Sequence, residues 1–124
     1  MRNEQDSEIS LRQLGPKKAL EAAIALAELN GPEGYYCQAR FFETGFGVSV
    51  DMDRAIQLFE KAAVSGSIRA ACYLADGYRT GIWGVIDESK AFSWYLYAAK
   101  AGDASAAFSL SSCYLNGLGT EKNQ

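Results

Sequence analysis

Residues 70–102 read AACYLADGYRTGIWGVIDESKAFSWYLYAAKAG, and this stretch decides the fold because it matches the residues before it at a fixed offset. A shift of 36 positions aligns small residues, glycines and acids without a gap: Ala55 with Ala91, Ala63 with Ala99, Gly66 with Gly102, Asp51 with Asp87, and Gly45 with Gly81 and Gly117. Self-similarity at a fixed period of about 20 to 50 residues is typical of stacked repeat proteins. The chain is therefore predicted to be a repeat array.

The second half of each repeat has the apolar spacing of an amphipathic helix. Positions i, i+3, i+4, i+7 and i+8 hold Ala55, Leu58, Phe59, Ala62 and Ala63 in one copy and Ala91, Trp94, Tyr95, Ala98 and Ala99 in the next. This spacing predicts a stripe that is buried against another element. Asp51 and Asp87 are the predicted N-caps, and Gly66 and Gly102 follow the helix ends. Replacing Trp94 by Ala is expected to cost about 3 to 5 kcal/mol.

The first half of each repeat predicts a second helix followed by a glycine-containing turn. The glycines of the turns are Gly45 with Gly47, Gly81 with Gly84, and Gly117 with Gly119. Glycine supplies the backbone freedom that such a turn needs. A phosphate-binding loop is not predicted, because the flanking Lys-Ser/Thr and the preceding strand are both missing.

The combined motif resembles the Sel-1-like repeat, a relative of the tetratricopeptide repeat. It reads Ala70-x-x-x-Leu74-Ala75-x-x-Tyr78-x-x-Gly81, then Asp87-x-x-Lys90-Ala91-x-x-Trp94-Tyr95-x-x-Ala98-Ala99-x-x-Gly102. The resemblance covers residues 16–119 and implies an all-α fold, a right-handed α/α superhelix (solenoid) of antiparallel helix pairs with about six helices. Two positions depart from the pattern: Gln38 replaces the usual leucine, and Gly84 comes one place late.

The period divides the chain into one tail and four segments. Residues 1–15 are an N-terminal tail or cap, and residues 16–30 are the second helix of a partial repeat. Residues 31–66 and 67–102 are complete repeats, and residues 103–124 carry the first helix of a truncated third repeat. The last helix is predicted to lack a cap, so either the chain is the N-terminal piece of a longer protein or this helix contacts a partner or a second copy of the chain.

Composition argues against several classes of function. Twelve Lys and Arg against 15 Asp and Glu give a net charge of −3, which leaves no excess cation for nucleic acid. No signal peptide and no run of about 20 apolar residues is present, so membrane insertion is not predicted and a cytoplasmic location is expected. The three cysteines do not recur in the repeat and are interpreted as reduced, packed side chains; with no histidine and no Cys-x-x-Cys pair, neither a metal nor a cofactor is predicted.

An enzyme is not predicted either. Without histidine the chain has no Ser-His or Cys-His pair, and it has no Gly-x-Ser-x-Gly motif. Some members of the resembling family have been described as binding or hydrolysing β-lactams, which makes such an activity a remote alternative. No recognisable site for it occurs in this sequence.

The predicted binding surface uses the face of each first helix that the core does not use. By analogy with tetratricopeptide repeats, the stripe i, i+4, i+7 lines the concave wall. Aromatic and Arg side chains supply most interface energy. The predicted surface consists of Tyr36, Arg40, Glu43, Arg69, Cys72, Asp76, Arg79, Phe108, Ser112, Leu115 and Asn116. Two alternatives stay open: Tyr36 and Phe108 pack between helices, and Trp83 either tucks over a neighbouring repeat or contacts a partner.

The predicted function is a non-catalytic adaptor or scaffold that binds another protein or a peptide on this surface. The first alternative is an inhibitory or immunity-type partner of a bacterial toxin or enzyme, which would bind one partner tightly. The second is a structural spacer, for which charge reversal at Arg40, Asp76 and Arg79 would change nothing in a pull-down.

Overall fold

The computed structural model describes residues 4–116, which form seven α-helices and no β-strand. The helices are α1 (Glu4–Arg12), α2 (Pro16–Leu29), α3 (Gly31–Thr44), α4 (Met52–Val64), α5 (Ile68–Thr80), α6 (Glu88–Lys100) and α7 (Ala104–Asn116). The predicted all-α class is confirmed. Helix α1 is additional to the six expected helices, because part of the predicted tail is helical. The predicted turn glycines Gly117 and Gly119 lie outside the described residues.

The predicted helix starts and stops are observed. An Oδ1 atom of Asp51 accepts a hydrogen bond from the backbone N–H of Arg54 at 3.1 Å, and Asp87 does the same for Lys90 at 3.0 Å. These bonds satisfy one of the free N–H groups in the first turn of α4 and of α6. Short-range capping chemistry thus fixes where the second helix of each repeat begins.

The helices form two compact units. Unit 1 contains α1 to α4 and unit 2 contains α5 to α7. In unit 1, Phe41 lies in a buried cluster with Ala19, Ala23 and Cys37. Helices α2 and α3 approach closely at Gly34, where an added Cβ would collide with the backbone of Ala27. That contact explains why a glycine stands in the middle of a helix despite its cost in chain entropy.

In unit 2, α6 packs against both α5 and α7. Leu74, Ala91 and Tyr95 are buried, as the stripe predicts. Trp94 is only partly buried, and its ring lies 5.6 Å from that of Tyr97. The assignment of Trp94 to the core is therefore corrected. The i+3 position lies at the flank of the stripe, as the partial burial of the equivalent Leu58 also shows.

An aromatic ring anchors the turn between paired helices in each unit. Phe46 does so in unit 1 and Trp83 in unit 2, and each precedes a glycine with positive φ, 82° at Gly47 and 90° at Gly84. The 36-residue offset pairs Phe46 with Ile82, but Ile82 is exposed. The structural equivalent of Phe46 is therefore Trp83, one residue later, and this slide explains the late second glycine of the motif.

Trp83 is tucked against α5 of its own unit. Its ring centroid lies 5.5 Å from that of Tyr78 and 6.0 Å from that of Tyr73. The ring also covers Gly77, where a Cβ would collide with it. Of the two alternatives for Trp83, the packed one is observed, with the difference that the ring covers its own repeat.

Candidate protein-binding surface

Helix α1 covers the part of unit 1 where α3 carries Arg40 and Glu43. Arg40 donates from Nη1 to Glu43 at 2.6 Å and from Nε to Glu8 of α1 at 3.4 Å. The second oxygen of Glu8 accepts from Nε of Arg12 at 2.9 Å. Glu8 is only 8% exposed. The predicted pair in unit 1 is therefore satisfied by charges of the same unit.

Arg12 holds α1 in this position. Its guanidinium lies 5.2 Å from the ring centroid of Phe41 and 4.7 Å from that of Phe46, and Nη2 lies 3.2 Å from the hydroxyl of Thr44. A cation over an aromatic face is stabilising, and more so when it is partly desolvated. The N-terminal segment is thereby attached to α3 and to the turn that follows it.

Tyr36 does not belong to an accessible surface, which corrects the prediction for this residue. It is 2% exposed, and its ring makes an edge-on contact with Phe59 of α4 at 5.7 Å. The alternative in which Tyr36 packs between helices is observed. Phe108, the residue that the period aligns with it, is 76% exposed.

In unit 2 the hydroxyl of Tyr95 links the two charged residues of α5. Nε of Arg79 donates to this hydroxyl at 2.8 Å, and the hydroxyl donates to Oδ1 of Asp76. Burial, and then the bond to Asp76, raises the pKa of Tyr95 to about 12, so the phenol is neutral at physiological pH. The bond to Tyr95 raises the pKa of Arg79 above its ordinary value.

The charged pair of unit 2 is open to solvent. Nη2 of Arg79 lies 3.7 Å from Oδ1 of Asp76, and the two side chains are 47% and 58% exposed. Within residues 4–116 no acceptor lies within hydrogen-bonding distance of Nη1 or Nη2 of Arg79. Helix α1 covers this stripe in unit 1. In unit 2 the same stripe presents the Nη1 and Nη2 donors of Arg79, which no described residue accepts from.

Cys72 lies beside this pair and is partly buried. Its Sγ lies 3.6 Å from Oδ2 of Asp103, which also caps α7 by accepting from the N–H of Ala106 at 2.7 Å. Burial, and then the charge of Asp103, raises the pKa of Cys72 to about 12. None of the three cysteines forms a disulfide within residues 4–116, and Cys37 and Cys113 are buried. They are packed thiols, as interpreted from the sequence.

Helix α7 contributes two exposed apolar side chains to the predicted surface, Phe108 and Leu115, the second 78% exposed. Ser112, which lies between them, is partly buried, as is Arg69 on α5. The side chain of Asn116 lies outside the described residues. Unit 2 thus unites the predicted charged residues of α5 with predicted apolar residues of α7.

Two functional side chains were missed by the sequence analysis. Glu8 lies outside the repeat, so no periodic signal marks it. The spacing assigned Tyr95 to the core. Its ring is buried as predicted, but its hydroxyl contacts the charged residues of α5. The equivalent residue of the preceding repeat is Phe59, so the extra hydroxyl in one copy was the available signal.

A second exposed feature lies between α1 and α2 of unit 1. It is a groove of about 330 Å³ with small and apolar walls. The lining residues are Ser7, Ser10, Leu11, Ala22, Ala25, Leu26 and Leu29. None of them is charged, and none was predicted as a site residue.

The model of the Sel1 repeat family matches residues 20–67, 68–103 and 104–124, and the chain belongs to this family. It is similar to a Sel1 repeat protein from Oxalobacter formigenes of known crystal structure, with a TM-score of 0.72 and 32% identity, over 85% of this chain and 79% of that one. The expected family and its repeat fold are therefore confirmed.

Two curated relatives are regulators of chitin synthase. Chitin synthase regulatory factor 3 of Schizosaccharomyces pombe is 31% identical over 114 residues, which are 84% of this chain and 12% of the relative. Chitin synthase regulator SKT5 of Saccharomyces cerevisiae is 35% identical over 72 residues, 58% of this chain and 10% of the relative. The chain thus spans about a tenth of the length of these proteins.

None of the helices within residues 4–116 is long and apolar enough to cross a membrane. In the same part of the chain, no three His, Cys, Asp or Glu side chains are grouped so that they could hold a metal ion.

Proposed function

We propose that this chain is a non-catalytic adaptor module that binds a segment of another protein through the exposed faces of its first helices. The observation that carries the proposal is the surface of unit 2, where the open pair of Asp76 and Arg79 is combined with exposed Phe108 and Leu115. Arginine is enriched in interaction hot spots, and large exposed apolar side chains are typical of interaction sites.

The relatives support the adaptor function. Both yeast proteins, of which the matched region is about a tenth, are named as regulators of chitin synthase. The proposal includes a cytoplasmic location, where free thiols stay reduced. Self-association through α7 remains a prediction.

A comparison of two double variants tests the proposal. Phe108→Ala with Leu115→Ala removes the apolar part of the unit 2 surface, whereas the control Leu29→Ala with Ile24→Ala removes two exposed apolar side chains, 89% and 51% exposed, from α2. Each protein is used as bait in affinity purification from its native host, with quantitative mass spectrometry. Partners should be lost with the first variant and retained with the second.

Three results would contradict this assignment. Equal partner sets for the two variants would show that the α7 side chains do not bind a partner. Partner loss with the α2 variant alone would move the binding surface to the exposed face of α2 in unit 1. A single partner held tightly at one-to-one ratio would favour the inhibitory alternative over an adaptor.

A further inference from the structure

The two units treat the same pair of repeat positions in opposite ways. Arg40 and Glu43 of α3 align with Asp76 and Arg79 of α5, so the order of the charges is reversed. In unit 1 the arginine of the pair is paired with Glu8 of α1 and with Glu43. In unit 2 the arginine contacts a phenol through Nε and keeps its terminal nitrogens for other acceptors.

The free edge of Arg79 has a defined orientation. A guanidinium is planar, so fixing Nε against the Tyr95 hydroxyl at 2.8 Å restricts where Nη1 and Nη2 can point. The outer edge of a guanidinium matches the two oxygens of a carboxylate and binds it through paired hydrogen bonds. A side chain that is already oriented loses less entropy on binding. The structure therefore favours a planar anion as the ligand of Arg79.

Asp76 does not occupy these donors. Its Oδ1 accepts a hydrogen bond from the hydroxyl of Tyr95 and lies 3.7 Å from Nη2 of Arg79, beyond hydrogen-bonding distance. Asp76 is itself more than half exposed, so it can accept a hydrogen bond from a backbone N–H. A peptide segment offers both groups, since an acidic side chain and backbone N–H groups occur close together along it.

The neighbouring helix supplies the apolar part of the surface. Arg79 is close enough to Cys113 of α7 to oppose the rise that burial causes in the pKa of that thiol. Phe108 and Leu115 occupy the same repeat positions on α7 as Cys72 and Arg79 on α5. Both are largely exposed, and an occupant that covers them removes their apolar area from water, which favours binding.

We propose that unit 2 binds a partner segment in which an Asp or Glu side chain stands near a bulky apolar residue. The carboxylate binds Nη1 and Nη2 of Arg79, and the apolar side chain packs on Phe108 and Leu115. Tyr95 is a positioning residue that orients Arg79. This inference rests on the proposed function and adds the chemistry of the partner.

The test begins with a phage-displayed library of random linear peptides, selected on the full chain. Enriched sequences should share an acidic residue beside a leucine or an aromatic residue. One such peptide and its Asp→Asn or Glu→Gln counterpart are then titrated against the wild type by fluorescence polarisation. The acidic form should bind about tenfold more tightly, the usual range for a charge-assisted paired contact.

Three variants show which side chains are responsible for the preference for the acidic peptide. Arg79→Gln should abolish the difference between the acidic and amide peptides. Tyr95→Phe should reduce it to about threefold, because the guanidinium is no longer held in one orientation. Arg54→Gln, which replaces an exposed arginine on α4, should leave the tenfold preference unchanged. The ratio of two affinities on one variant does not depend on how much of that variant is folded.

The outcomes separate this inference from the proposed function. If the library yields binders without acidic residues, or if Arg79→Gln keeps the preference for the acid, the inference is wrong and the adaptor function stands. If no peptide is enriched and partner capture does not depend on Phe108 and Leu115, both are wrong.

Discussion

The substitution Tyr95→Phe removes one oxygen and so tests the hydrogen-bonded bridge of unit 2, in which the Tyr95 hydroxyl links Asp76 to Arg79. The ring fits without rearrangement, because the preceding repeat has Phe59 at the equivalent buried position. What is lost is the hydroxyl, which donates to Asp76 and accepts from Nε of Arg79. Packing and charge are unchanged, so the measured difference reports the hydrogen bonds.

The expected loss of stability is about 1 to 2 kcal/mol. A hydrogen bond to a charged group contributes about 1.5 to 3 kcal/mol when the charge is shielded from water. Asp76 and Arg79 are about half exposed and are rehydrated in the variant, which reduces the loss. For a chain of 124 residues this corresponds to a decrease in Tm of about 4 to 8 °C.

The pKa of Tyr95 adds a signature in pH. The folded state raises it from 10.0 to about 12, so folding favours the protonated phenol. The stabilisation is complete below the unfolded pKa and is lost as pH rises from 10 toward 12. The variant has no such group, and every other titrating group is common to both proteins. The stability difference between wild type and variant should therefore shrink over this interval.

Urea denaturation followed by circular dichroism measures both effects, at pH 7 and at steps up to pH 11. Tyr114→Phe is the matched control, because the hydroxyl of Tyr114 forms no hydrogen bond within the described part of the chain and its ring is half exposed. Equal stability of Tyr95→Phe and the wild type at pH 7, or a difference that grows toward pH 11, would refute the bridge.

Three further substitutions test other contacts. Gly34→Ala should lower the free energy of unfolding by about 2 kcal/mol or more, because its Cβ meets the backbone of Ala27; an unchanged urea midpoint would contradict the close helix approach. Glu8→Gln should cost about 1 to 2 kcal/mol, since two guanidinium groups lose their shared carboxylate; a thermal melt equal to that of the wild type would show that α1 is not held by this charge. Iodoacetamide should alkylate Cys72 slowly at pH 8, because the pKa of its thiol is about 12. Asp103→Asn should accelerate the alkylation while retaining a helix cap. Mass spectrometry measures both alkylation rates, and equal rates would exclude an influence of the Asp103 charge.

The helices and their caps were predictable because the information is local. Asp51 and Asp87 act on N–H groups three residues away, and the buried stripe depends only on spacing along one helix. Because the caps and the buried stripe both recur at the same period, the pattern in one repeat supports the prediction made for the next. The family and the paired-helix fold followed from these short-range patterns.

The candidate surface was less predictable, because exposure depends on neighbours distant in sequence. Arg40 lies 32 residues from Glu8, and nothing in the repeat indicates that α1 covers it. Tyr36 and Phe108 occupy equivalent positions, yet only Tyr36 is enclosed by a ring of the following helix. Periodicity assigns a residue to a face of its helix, and the charge and ring contacts between helices then decide whether solvent reaches it.

The anchor of the turn between paired helices has a practical consequence for protein engineering. Phe46 and Trp83 perform one task at sites that differ by one residue relative to the 36-residue frame, yet the following helices begin in register at Asp51 and Asp87. A chimaera joined inside such a turn between the frame positions of Phe46 and Trp83 would inherit either two anchors or none. Modules exchanged between arrays of this type should therefore be joined within helices, with each aromatic residue kept beside its own glycine.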